Sequence, residues 1–550
     1  MSSHYISIWK RSSNRLRQNE TRLEYLCLIG LSVAALTLFL ANLGSLPLID
    51  PDEGILAQVA KEIYQGTGTY NWIFPQLWNQ PYLDLPPLIH NLVAMSYHIA
   101  GINEWTTRFP GAFLGAISVL LLYQIGREIF IARLPAMFSA LVYLTCLPVV
   151  RYSRLATLNG PLLCFELLMI WAVLRSRRDL RWSLVVGISF SLIGLTRGIS
   201  AVQVLLIVLL FLFWDTPRLL TSLYFWRGLV LGAIPSMVWY SAQWFQYPQL
   251  FASKNFLNLF LAQANSMGIE DFRPGAYLLQ RLQYVLPWLV VMFAGVQLIK
   301  QNFPWGWSKL LAVWLGGYFV LGFLILRQDY WLVLPLYPAL ALAAGKQLDR
   351  VHNLPSYVAY PKIWIYSFGG MALLAILAAC NWGIRNYVDF YLPFICGSLA
   401  ITFGATALVI AQQDKQFIPL LFWGLFVSIF LLVVSPHWIW EGSISSEIKP
   451  VAKIIKEHTP QKTVIYSSLA EDRPSLNFYS DRQIIAQSIE ELKQSWQQKH
   501  SVYLLLDSET LSLLKLPQHA VVEDPRLKSL GWVLVIKNRE SVLTKSALTF

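Results

Sequence analysis

Asp52 and Glu53 stand side by side in "LPLIDPDEGILAQVAKEIYQG" (46–66), directly after the first long apolar stretch of the chain. A carboxylate where a chain leaves a bilayer has two chemical uses. It takes a proton from a hydroxyl as a general base, or it holds a cation. Ile55, Val59 and Ile63 recur at i, i+4 and i+8, which predicts a helix opening at the acidic pair, and Gly66 is a suitable closing residue. Adjacent side chains on a helix point in different directions, so the two acids do not form a dyad on one atom. One of them suits a base; the other braces the loop or holds a cation or a lipid head. A purely structural alternative is that Asp52 caps the helix N-terminus. Further along, Asp84 and His90 are a candidate pair for a divalent metal, although no dense ligand spacing surrounds them. For His90 the plainer reading is an interfacial histidine.

These residues sit in a chain built for a membrane. Of its 550 residues 55% are hydrophobic and only 13% charged, about half the charge of an ordinary soluble domain. Apolar cores lie at Leu23–Leu43, Phe109–Ile125, Pro135–Val150, Pro161–Leu174, Leu184–Leu195, Ile199–Trp214, Gly228–Trp244, Tyr284–Ile299, Leu310–Leu326, Trp331–Gly345, Ile363–Trp382, Phe390–Ile410 and Phe417–Val434. They predict an all-α polytopic membrane protein of about thirteen spans. The net charge of +12 comes from basic residues in short loops between the cores, the positive-inside pattern, which argues against a nucleic-acid partner. The five cysteines fall in or beside apolar cores and read as small buried hydrophobes. Gly111-x-x-x-Gly115 reads as a helix-packing motif.

Basic clusters fix the sidedness. Lys10, Arg11, Arg15 and Arg17 make residues 1–22 a cytoplasmic tail, and Arg175, Arg177, Arg178 and Arg181 mark a second cytoplasmic loop. Parity then requires Pro86–Trp105 to be an amphipathic helix at the outer interface rather than a span. The first outer loop becomes 44–108, and Arg151–Gly160, Phe245–Gln283 and the stretch around Arg327 are also outside. A transmembrane domain over 23–437 gives way to a small extracytoplasmic α/β domain at 438–550. There "SEIKPVAKIIKEH" and "SIEELKQSWQQKH" read as helices, and "KTVIYSS", "SVYLLLD", "HAVVED" and "GWVLVIKN" as strands. "RPSLNFYSDRQ" reads as a helix that then turns.

"IDPDEGILAQVAKEIYQG", "WIFPQLWNQPYLDLPPL" and "GINEWTTRFPGAFLGAISVLLLYQIGREIF" together resemble the first outer loop and second span of lipid-linked-sugar glycosyltransferases of the GT-C fold. The nearest group is the bacterial one related to protein O-mannosyltransferases and aminoarabinose (lipid A) transferases. "RYSRLATLNGPLLCFELL", "GLTRGISA" and "LRQDYWLVLPLYPALALAAG" resemble further stretches of the same group in the same order. The resemblance implies a multi-pass enzyme of the bacterial inner membrane, with its active site on the periplasmic face. It would use a polyprenyl-phosphate sugar donor and transfer the sugar with inversion to a hydroxyl or phosphate of a lipid, glycan or protein acceptor. No cofactor is certain from it; a divalent metal is possible.

Asp52 matches the general base of that group. Around a departing phosphate the resemblance calls for cations, and Arg154, Arg197 and Arg327, the last beside Tyr330, lie on the correct side. Each has a plainer alternative: an interfacial anchor for Arg154, a snorkelling side chain for Arg197, an ion pair with Asp329 for Arg327. Glu53, Asp84 and Asn159 complete the substrate-binding candidates. Where relatives often read Glu-Lys-Pro-Pro, this chain reads Asp84-Leu85-Pro86-Pro87, and Asn159 stands where relatives often carry Asp. The rival readings are a transporter or flippase of a polyprenyl-linked lipid and a glycan ligase or polymerase. A transporter places its charges near the bilayer midplane in repeated halves, whereas here the carboxylates lie in an outer loop and no repeat is apparent.

Overall fold

The computed structural model describes residues 2–66, 68–253, 285–325, 333–355, 358–385, 390–439, 448–461, 463–469, 471–498, 501–514, 521–522, 527 and 530–537. In chain order the helices are α1 (Ser2–Leu40), α2 (Asp52–Gln65), α3 (Tyr70–Ile73), α4 (Leu88–Ala100), α5 (Glu104–Ile129), α6 (Arg133–Leu144), α7 (Leu147–Arg154), α8 (Asn159–Ser176), α9 (Trp182–Thr196) and α10 (Gly198–Asp215). There follow α11 (Pro217–Leu220), α12 (Leu223–Gln246), α13 (Pro248–Ser253), α14 (Leu289–Gln301), α15 (Gly306–Ile325), α16 (Leu336–His352), α17 (Lys362–Arg385), α18 (Tyr391–Ala411) and α19 (Phe417–Val434). The last four are α20 (Ile448–His458), α21 (Pro474–Ser480), α22 (Ile489–Gln498) and α23 (Ser508–Leu514). The chain divides into two compact units. One comprises Met1–Leu43, Leu83–Ile89 and Phe109–Trp438; the other comprises Gly44–Tyr82, His90–Arg108 and Ile439–Phe550. Most of the first outer loop belongs to the same unit as the C-terminal α/β fold.

The first unit is helical and makes the chain a multi-pass membrane protein. Among the described residues six helices are long and apolar enough to cross a bilayer, and the pair α6 and α7, bent by 58°, adds a seventh if taken as one span. The other candidate cores are also largely helical over their described residues. Arg227 interrupts the start of α12, and Lys346, Asp349 and Arg350 end α16. The cores read from sequence are thus helical where they are described, and length and apolarity select six or seven of them as spans among the described residues. Helix packing uses small residues where backbones meet. A Cβ on Gly232 of α12 would lie 2.4 Å from the Ile188 nitrogen of α9, so only glycine permits this approach.

The second unit holds a five-stranded sheet. Its strands are β3 (Val464–Ser467), β4 (Gln483–Ala486), β5 (Val502–Asp507), β6 (Val521–Val522) and β7 (Trp532–Lys537), counted after the small hairpin β1 (Gln76–Leu77) and β2 (Gln80–Pro81). The order is β4-β3-β5-β7-β6. β3 runs parallel to β4 and β5, and β7 runs antiparallel to β5 and β6. β5 is the central strand and is apolar without alternation because both of its faces are covered. Tyr503 and Leu505 join Ile454, Ile455 and Leu476 in one core, so α20 and α21 cover that face. Val502, Leu504 and Leu506 join Leu492 in the other core, with Leu511 and Leu514 packed on it, so α22 and α23 cover the opposite face. The strands expected from sequence all appear; β4 and α23 are additional.

Candidate active site

Asp52 is the first residue of α2 and is exposed. Pro51 occupies the N-cap position and supplies no side-chain cap, so Asp52 is not the capping residue. Its charge nonetheless sits in the first turn, where the helix dipole favours an anion. Its acidic neighbours on either side have quite different surroundings.

Glu53 is fully buried. Its Oε2 accepts from Arg108 Nη2 at 2.6 Å and its Oε1 from Arg108 Nε at 2.8 Å. The Ile49 backbone N–H also donates to Oε2, at 2.8 Å. Arg108 also donates to the carbonyl oxygens of Leu46 and Pro47, at 2.7 and 2.8 Å. Glu53 was a candidate for substrate binding on sequence; the structure instead makes it the brace of its own loop.

Asp50 is held from the C-terminal fold. Ser475, at the start of α21, donates its backbone N–H to Asp50 Oδ1 at 2.6 Å and its hydroxyl to Oδ2. Burial raises the Asp50 carboxyl above its ordinary range despite these bonds. At the other end of α21, the Tyr479 hydroxyl accepts from the Leu48 N–H at 2.9 Å and donates to Glu104 at 2.8 Å. Glu104 in turn pairs with Lys449. Each residue from Leu46 to Asp50 is thus anchored by a backbone or side-chain hydrogen bond immediately before the chain reaches Asp52. The approach of α2 to α21 is as close as chains allow. A Cβ on Gly54 would fall 2.4 Å from the Ser475 nitrogen, which explains glycine directly after the acidic pair. Two turns along α2, Lys61 donates to the Phe478 carbonyl at 2.9 Å and pairs with Asp481, which also receives Lys456.

Asp84 is exposed, and His90 is buried with its ring set edge-on to Tyr82, centroids 5.5 Å apart. Among the described residues no group of three or more His, Cys, Asp or Glu is arranged to hold a metal ion.

Arg154, expected near a phosphate, is fully buried at the end of α7. Its Nη1 donates to the carbonyls of Leu38 and Phe39 at 2.9 and 3.0 Å, and its guanidinium stacks 4.6 Å from the Trp438 ring centre. It closes the C-terminus of α1, where carbonyls lack intrahelical donors and a cation is favoured. Asn159 is half-buried as the first residue of α8. Arg197 is half-buried at the break between α9 and α10, in extended backbone directly before the first turn of α10. The first amides of a helix beside a guanidinium suit an anion. The buried Glu166 of α8 is within electrostatic reach of this arginine. Arg327 and Tyr330 lie outside the described residues.

Sequence reasoning passed over Arg108, Ser475 and Tyr479. A charge on the threshold of an apolar helix, as in "EWTTRFPG", signals a buried partner and points to Arg108. Nothing local marks Ser475, whose partner is 425 positions away.

Residues 84–241 match the family model described as dolichyl-phosphate-mannose-protein mannosyltransferase. An undecaprenyl phosphate-alpha-4-amino-4-deoxy-L-arabinose arabinosyl transferase of Pseudomonas fluorescens is 28% identical over 210 residues, covering 36% of this chain and 37% of that protein. The chain spans less than two thirds of the length of the curated relatives it matches. Among solved structures, ArnT from Cupriavidus metallidurans bound to undecaprenyl phosphate superimposes with a TM-score of 0.73 at 15% identity, covering 93% of this chain and 98% of that one. The archaeal oligosaccharyltransferase AglB from Archaeoglobus fulgidus gives 0.54 at 12% identity, covering 89% and 70%. The chain thus shares its fold with ArnT, and within it residues 84–241 match the mannosyltransferase family model.

Proposed function

We propose that this protein is an inverting glycosyltransferase that moves a sugar from a polyprenyl-phosphate donor to an acceptor hydroxyl or phosphate at the outer face of a bacterial inner membrane. The observation that carries this reading is the placement of Asp52. It is the exposed member of three carboxylates within four residues; Glu53 is buried against Arg108, and Asp50 is half-buried against Ser475. Its exposure places this carboxylate at the surface of an anchored loop, where an acceptor can reach it. Asp52 takes the proton of the acceptor hydroxyl as that oxygen attacks the anomeric carbon from the face opposite the phosphate. The new glycosidic bond forms as the bond to the phosphate oxygen breaks, and polyprenyl phosphate leaves as an anion. By the resemblance, Arg197 and Arg327 are assigned to that developing charge.

The donor class rests on likeness. The Pseudomonas relative is named for undecaprenyl phosphate aminoarabinose, and ArnT was solved with undecaprenyl phosphate bound. The test is native mass spectrometry of the purified chain with added undecaprenyl phosphate. Specific one-to-one binding, weakened by Arg197→Ala, is the expected result; no binding by the unmodified chain overturns the donor class.

A further inference from the structure

We propose that α21 of the C-terminal α/β fold is a positioning element for the candidate base, acting through Ser475 and Tyr479 on the segment that carries Asp52. This rests on the reading of Asp52 as the base. The C-terminal fold is then part of the catalytic apparatus rather than a separate recognition module.

The argument starts from chain geometry. Residues 46–51 have no repeating secondary structure, and loops without ladder bonds are held only by the partners they find. Among the described residues the partners come from the Glu53–Arg108 pair, from α21 and from the first turn of α2, where the Gly54 N–H donates to the Ile49 carbonyl at 3.3 Å. Arg108 and its ion-pair partner Glu53 fix Leu46, Pro47 and Ile49. α21 fixes Leu48 through Tyr479 and Asp50 through Ser475. The last side chain anchored before Asp52 is therefore held by α21. The bond is double, and both atoms of Ser475 that make it are buried with the residue. The Gly54 contact sets the spacing from the other side, because neither backbone has room to shift inward. α21 is itself rigid. Leu476 is in the sheet core, and the Asn477 side chain accepts the Ile484 N–H of β4 at 3.1 Å. Position is thus transmitted from the sheet to the carboxylate through two short side chains. A general base loses rate steeply when displaced by fractions of an ångström to an ångström.

The test uses the full-length chain in detergent and has two arms. In hydrogen exchange, Ser475→Ala and Tyr479→Phe each accelerate exchange of the amides from Leu48 to Ile55, while the β5 amides keep their protection. In turnover of undecaprenyl-phosphate-linked aminoarabinose, each lowers kcat by about tenfold to a hundredfold with donor KM within about twofold. Asp50→Ala behaves likewise. Asp50→Asn restores most of kcat, because its amide still accepts from the Ser475 N–H and can donate to its hydroxyl. Unchanged exchange in both α21 variants overturns the positioning role. So does unchanged kcat in them when Asp52→Asn is inactive, an outcome that leaves the base in place. Normal turnover by Asp52→Asn overturns the base itself, and exchange still reports whether α21 holds the loop.

Discussion

Glu53 and Arg108 form a fully buried, two-pronged ion pair, with both guanidinium bonds at 2.6–2.8 Å and the arginine also donating to the Leu46 and Pro47 carbonyls. Removing one partner of such a pair leaves the other as an uncompensated buried charge. Glu53→Gln and Arg108→Ala should each lower the unfolding free energy by about 3–5 kcal/mol, read by denaturant or thermal unfolding in detergent. Arg108→Lys should rescue little, since an ammonium cannot serve a carboxylate and two carbonyls in this planar fork. An unfolding midpoint within error of the parent for Glu53→Gln would remove the brace from the account of this loop.

The contrast between Asp52 and its neighbours shows how far sequence reaches here. The start of α2 at the acidic pair was legible from the Ile55-Val59-Ile63 spacing, and its end from Gly66, because both signals are local. The apolar cores were legible as helices for the same reason. The β-strands of the tail were readable where the run was long, as in "SVYLLLD", but the four residues of β4 were too few to stand out. Roles set by distant partners were not legible. Arg154 looked like a phosphate ligand because sequence displays a charge and hides what it bonds. The carbonyls it meets are 116 and 115 positions away.

Arg154 makes a second test. Arg154→Ala leaves the Leu38 and Phe39 carbonyls without this donor and removes the stacking on Trp438. A buried acceptor left unsatisfied costs about 1–3 kcal/mol, so the variant should melt well below the parent. Undecaprenyl phosphate binding by the folded fraction should be retained. Loss of lipid binding without loss of stability would return Arg154 to the phosphate site.

Acid should loosen the contact between α2 and α21. Burial pushes the Asp481 carboxyl up, but the ammonium groups of Lys456 and Lys61 outweigh it and hold it below its ordinary value of 3.8. The folded-state value is the lower one, so these pairs contribute fully above the unfolded-state pKa and are lost as pH falls through the folded-state one. The unfolding midpoint should therefore drop below about pH 4. Asp481→Asn should flatten that part of the acid limb and lower stability at neutral pH, where Lys61 is buried. Asn is the suitable replacement because residue 481 has φ 56°, a left-handed conformation that Asn tolerates. An unaltered acid limb in Asp481→Asn would assign the transition to other carboxylates.

The decisive substitution is Asp52→Asn. Asp52 is the first residue of α2 and Pro51 the N-cap, and Asn accepts a backbone hydrogen bond as Asp does. The loss of one charge from the first turn costs about 0.3–1 kcal/mol, too little to unfold the unit. Asn also matches Asp in shape, so the loop anchored from Leu46 to Asp50 should keep its course. What Asn lacks is the ability to accept a proton from a hydroxyl. If Asp52 is the base, the variant should fold, bind undecaprenyl phosphate like the parent, and lose about two to four orders of magnitude in turnover, the usual size of general-base catalysis. The loss should appear in kcat with donor KM nearly unchanged, because the interaction removed exists only in the transition state. Asp52→Glu keeps the carboxylate but moves it by one methylene, and should recover part of the rate. Glu53→Gln does not serve as a neutral control, since the ion pair with Arg108 makes it a stability variant. Turnover near the parent's by Asp52→Asn, in protein that still binds the lipid, would show that the proton leaves by another route.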